Sequence, residues 1–79
     1  MTIYSQILVY PDGDVQEAAS ELRINQIVDL NGIPLKPPLP TVKMIVYRVY
    51  KITANESRGE HTTRYHLELV KREEMLEYV

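Results

Sequence analysis

Four prolines, Pro34, Pro37, Pro38 and Pro40, crowd a short stretch near the middle of the chain. Each lacks a backbone N–H and fixes its own φ, so residues 33–40 can be neither a helix interior nor a central strand. The segment is expected to be extended and polyproline-like, with Pro34, Pro37 and Pro40 along one edge. Aromatic-grooved peptide-binding domains recognise that shape. Lys36 and Lys43 sit poorly for the basic residue such ligands carry, however. A rigid connection across the end of a small barrel fits better, with Leu35 and Leu39 plugging that end and the prolines limiting unfolded-state entropy.

The segments on either side read mainly as strands. Residues 3–10 are rich in β-branched and aromatic side chains, and Pro11-Asp12-Gly13 is a turn in which proline sets φ and glycine supplies φ > 0. Residues 14–22 admit two readings. Asp14 and Glu17 form a capping-box-like pair, and Val15, Ala18, Ala19 and Leu22 fall at helical spacing. The turn before them favours a returning strand, and that is the reading taken. Leu22, Ile24 and residues 27–30 read as a strand entered through a kink, with Asn25 as a left-handed residue. Asn31-Gly32 is a two-residue hairpin signal.

Beyond the prolines, residues 42–53 and 61–70 read as two long strands joined by a polar loop, residues 54–60. With that loop centred near Ser57, opposed positions sum to about 114. Val49 then faces Tyr65, Tyr47 faces Leu67 and Ile45 faces Leu69, a consistently apolar side. The other side pairs Arg48 with His66, Tyr50 with Arg64 and Val46 with Glu68. Residues 72–79 read as a short helix whose Glu73 and Glu74 suit its N-terminal end. It is too short to persist alone, so it must dock.

The expected fold is one small β domain over residues 1–79. It is mainly β, a small antiparallel barrel of about five strands, roughly SH3-like, with a short C-terminal helix. A chain of 79 residues buries only about 60% of its unfolded surface, which makes self-association the natural additional source of stability.

Composition removes several function classes. With no cysteine there is no disulfide framework, thiolate zinc site or cysteine nucleophile. The net charge of −2 gives no general drive for counterion release from nucleic acid. His61 and His66, five apart on a strand, point to opposite faces and cannot share a metal ion. His66 with Glu68 supplies too few ligands for a structural zinc. Asp12-Gly13-Asp14 resembles the start of a calcium loop, but Arg23 stands where the closing glutamate belongs. No phosphate loop or serine motif is present. No cofactor, metal or enzymatic activity is expected. The first residues carry no basic, long-apolar signal, and a cytoplasmic location is the default expectation.

Two surfaces remain. Arg48, Tyr50, Arg64, His66 and Glu68 form a candidate binding face able to meet phosphate or a nucleobase, although half-solvated antiparallel sheets ordinarily look this way. Val46, Tyr50, Ile52, Met75 and Tyr78 form a candidate self-association surface, because a strand that is apolar on both sides needs cover on both sides. The expected function is a non-catalytic, self-associating interaction module acting through protein–protein contacts. The alternative is a small barrel binding nucleic acid or nucleotide through the Arg48, Tyr50, Arg64 and His66 face.

Overall fold

In the computed structural model, residues 2–79 are described. Strands β1 (Ile3–Val9), β2 (Val15–Glu17), β3 (Ile27–Val28), β4 (Tyr47–Ser57) and β5 (Glu60–Leu69) precede one short helix, α1 (Arg72–Met75). The strands form a single sheet in the order β2-β1-β5-β4-β3, curled into a half-barrel. The mainly β class, the five strands and the C-terminal helix agree with the sequence reading. The β1–β5 pair is parallel, so the sheet is mixed and keeps two edges. Parallel neighbours need a long crossover, and residues 10–59 supply it.

The Pro11-Asp12-Gly13 turn returns the chain as β2, antiparallel to β1. Gly13 takes φ 95 and its N–H donates to the Tyr10 carbonyl. Asn25 adopts φ 71 at the kink before β3, since its short amide side chain tolerates the left-handed region. After β3, the Asp29 carboxylate accepts from the N–H groups of Asn31 and Ile33. The Gly32 N–H donates to the Asp29 carbonyl. The corner therefore falls at Leu30 and Asn31, one position earlier than the Asn-Gly pair suggests, because the aspartate side chain organises it as an Asx turn. Gly32 follows at φ 80, buried against Leu8.

The main hairpin departs from its expected bounds at both ends. Residues 42–46 are bends and coil, because they follow the prolines and bury Val46. The supposed loop is mostly strand, closed by a two-residue turn at Arg58 (φ 46) and Gly59 (φ 82). Two positive φ values give the turn type whose twist matches paired strands. An arginine in the first of those positions is not a signal that sequence reading detects.

Opposed positions sum to 116 from Tyr47 to Val49, so Val49 faces Leu67, Tyr47 faces Leu69 and Arg48 faces Glu68. The difference from 114 is two residues, which preserves every side-chain direction. A bulge between Val49 and Lys51 then moves the sum to 117, with Lys51 opposite His66 and Ile52 opposite Tyr65. That one-residue slip turns Ile52 onto the side of Val49 and Tyr65, and turns Lys51 onto the side of His66.

The core divides between the two faces of the sheet. On one side, Leu8, Tyr10, Leu22, Val28, Val49, Tyr65 and Leu67 pack together beneath the segment that includes Ala18 and Leu22. The Tyr10 and Tyr47 rings meet edge to face with centroids 5.1 Å apart. Burial, then the neighbouring Tyr47 and Asp29, raise the Tyr10 pKa. On the other side, at the β3 end, Ile27, Leu39, Val46, Val70 and Met75 form a second cluster. Leu35, Val42, Met44 and Tyr78 pack against it. The proline segment and α1 thus cap one end of the sheet, as Leu35 and Leu39 suggest. Met75 docks α1, and the Leu39 N–H donates to the Tyr78 carbonyl.

Candidate interaction surface

Cross-strand pairing places Arg48, Arg64, His66 and Glu68 on one side of the sheet, and a ring contact places Tyr50 there with them. Arg48 lies opposite Glu68, Arg64 opposite Thr53 and His66 opposite Lys51. Tyr50, at the bulge, turns its ring toward His66, with centroids 6.4 Å apart. The Thr53 hydroxyl is within hydrogen-bond distance of His66 Nε2, at 2.9 Å. Lys51 joins this face through the bulge, which sequence spacing alone does not reveal.

Arg48 is withdrawn from any anion site. Its Nε and Nη2 donate to Glu68 Oε1 at 2.9 and 2.6 Å, and its Nη1 donates to Glu74 Oε2 at 2.7 Å. A longer bond from Nη1 reaches the Tyr78 hydroxyl at 3.4 Å. These partners, the Tyr78 hydroxyl first and then the two carboxylates, push the guanidinium pKa still higher. Arg48 ties α1 to the sheet, and Glu68 is its structural partner. What remains open on this face is Tyr50, Lys51, Arg64 and His66.

The hydrogen bond from Arg48 holds the Glu74 carboxyl below its ordinary value. A group whose folded-state pKa is depressed stabilises fully above its unfolded value, and that contribution is lost as pH falls through the folded value. Glu74→Gln is therefore expected to lower the melting temperature slightly at pH 7 and to leave it equal to that of the parent chain near pH 2. Thermal melts of both chains at the two pH values check this; an unchanged difference at low pH would exclude the ion pair as its source.

The candidate self-association residues separate into two groups. Val46 (0% exposed) and Met75 (1%) lie in the second core cluster, and Tyr78 packs against it. Their apolar character is satisfied within the chain, so Val46 and Met75 are corrected to core positions and Tyr78 to a docking contact of the segment that follows α1. Tyr50 (52%) and Ile52 (37%) are exposed. Both lie at the base of a wing: Tyr50 at the bulge beside the core residue Val49, and Ile52 opposite the core residue Tyr65. From there β1, β5 and β4 extend past both core clusters as three strands, and the whole molecule measures 44 × 22 × 18 Å. The register assigns Tyr4, His61, Ile52 and Ala54 to one side of this wing, and Ile3, Arg64 and Thr53 to the other. Tyr4 (74%) and Ile3 (56%) are also exposed. The Tyr4 ring leans on His61 with centroids 5.5 Å apart, on the side opposite His66. Sequence reading misses Ile3 and Tyr4, because pairing with β5 depends on a contact between the two ends of the chain.

No group of three or more histidines, cysteines or carboxylates able to hold a metal occurs among the described residues. No helix among them is long and apolar enough to cross a membrane. Fold and surface together define a small mainly β protein whose sheet curls over two core clusters and projects an uncovered wing. The chain belongs to the family described as "Uncharacterised Treponema protein", whose model matches residues 2–78. No curated protein and no solved structure matches it.

Proposed function

We propose that this protein is a non-catalytic interaction module that self-associates through the wing formed by β1, β4 and β5. One observation carries the reading: both sides of the wing lack cover from the rest of the chain while presenting Ile3, Tyr4, Tyr50 and Ile52 to solvent. Soluble antiparallel sheets commonly leave one face solvated, whereas a sheet with apolar side chains on both faces normally has cover on both. The nucleic-acid alternative draws less support, because Arg48 is held by Glu68 and Glu74.

Native mass spectrometry and sedimentation of the untagged chain test the proposal. A dimer is the expected result. Tyr50→Glu and Ile52→Glu each place a carboxylate on an exposed position of the wing, and each is expected to weaken association at least tenfold while leaving the far-ultraviolet spectrum unchanged. A monomer at every accessible concentration would overturn the proposal.

A further inference from the structure

We propose that two copies of the chain join through the outer edge of β4, antiparallel, about a twofold axis at Ala54. This inference rests on the self-association reading and names the backbone contact between the copies, a joining of edges that leaves both faces of the wing as they are.

Along its inner side β4 pairs with β5 throughout. Along its outer side only the first residues have partners. Tyr47 and Arg48 pair with β3, the Val49 N–H donates to the Gln26 carbonyl, and the Val49 carbonyl accepts from the Asn25 N–H. Past the bulge, no outer backbone partner occurs among the described residues. The direction of each peptide group follows from the turn. Ser57 faces Glu60 across a two-residue turn, so its N–H and C=O point inward, and antiparallel pairing alternates from there. Asn55, Thr53 and Lys51 also point inward. Ile52, Ala54 and Glu56 point outward, and all three are exposed.

An open edge of this kind is a template for another strand. Folded proteins guard edges with proline, with charged side chains, lysine above all, or with bulges; this edge has no proline, and its one lysine, Lys51, stands at the end next to the bulge. Here the bulge lies at Tyr50 and the turn begins at Arg58, so the regular stretch between them runs from Lys51 to Ser57. Its midpoint is Ala54, which carries the smallest side chain of the stretch. The outward set Ile52, Ala54 and Glu56 shares that midpoint, so the edge is its own complement under a twofold rotation. Ile52 then faces Glu56 of the second copy, Thr53 faces Asn55, Lys51 faces Ser57, and Ala54 meets its own counterpart. No like charges stand opposite one another, an arrangement that would oppose pairing. Every outward N–H and C=O of the three residues finds a partner. Centring on Thr53 would bring Glu56 against the bulge at Tyr50, and centring on Asn55 would leave Ile52 opposite Arg58 in the turn. Ala54 is therefore the register that uses the whole edge, and the product is one continuous sheet across both copies.

Residue-resolved amide exchange on the intact chain, at micromolar and at millimolar concentration, tests this directly. The amides of Ile52, Ala54 and Glu56 are expected to exchange at least about tenfold more slowly at high concentration. Those of Thr53 and Asn55, already bonded to β5, should be protected at both. Ala54→Pro deletes an outward N–H without touching the inner ladder, so it is expected to yield a folded monomer. Exchange in the parent chain decides the matter if that variant does not fold. A dimer whose concentration-dependent protection lies elsewhere would overturn the β4 pairing and leave self-association standing. A chain monomeric at both concentrations would overturn both.

Discussion

Gly32→Ala is expected to destabilise the fold by about 3 kcal/mol, from about 1–2 for a left-handed non-glycine residue and about 1–3 for overpacking. Gly32 has φ 80, and a Cβ there would collide with Cδ1 of Leu8, a residue with no solvent exposure at the centre of the first core cluster. The same Cβ would lie 3.0 Å from Gln16 Nε2, whose donation to the Asn31 carbonyl ties β2 to this turn, and 3.2 Å from the Tyr10 hydroxyl. Leu8 is fully buried, so its side chain can make room only by repacking against its core neighbours. A domain of this size has only about 4–12 kcal/mol of stability in all. Gly13→Ala isolates the conformational part, because Gly13 has φ 95 and nothing within 4 Å of its Cβ position. Urea denaturation of the two variants and the parent should rank Gly32→Ala well below Gly13→Ala. Equal midpoints for the two would show that the Leu8 contact relaxes at no cost.

Met75→Ala is expected to lower stability by about 2–5 kcal/mol, the usual range for truncating a buried methionine. Met75 is the one buried residue of α1. The helix has four residues and no side-chain cap at Lys71, so it cannot hold its shape unless it is docked. Losing Met75 would also uncover Ile27, Val46 and Val70, which share its cluster. Association through the wing lies elsewhere and should be unaffected once folded protein is compared with folded protein. Chemical denaturation together with sedimentation separates the two effects. An unchanged denaturation midpoint with a weakened dimer would return Met75 to the surface.

The side-chain directions of the main hairpin were legible up to Val49, even though the opposed positions were two residues off. Hydrophobic alternation specifies which side a residue faces, and an even shift leaves that unchanged. The bulge at Tyr50 was not legible, because nothing in Val49-Tyr50-Lys51 announces an extra residue. It reassigned Ile52 and brought Lys51 beside His66. The turn at Arg58-Gly59 was hidden for a related reason: arginine rarely takes φ > 0, and only the pairing of two long strands stabilises it there. The five candidate binding residues do share one side of the sheet, but the leading cation, Arg48, is held by carboxylates of its own chain. Glu74 and Tyr78, which hold Arg48, come from the far end of the chain.

Local chemistry in the sequence was enough for the mainly β class, the Pro11-Gly13 turn, the left-handed Asn25, the strand-free proline segment and the need for the last residues to dock. Each depends on neighbouring residues, through φ restriction, a missing N–H, strand alternation or helix length. Tertiary structure alone decided the parallel β1–β5 pair, the division of the core between two faces, the burial of Val46 and Met75, and the open edge of β4. Those outcomes depend on which distant segments meet, and a sheet's faces and edges exist only after its strands have chosen their neighbours.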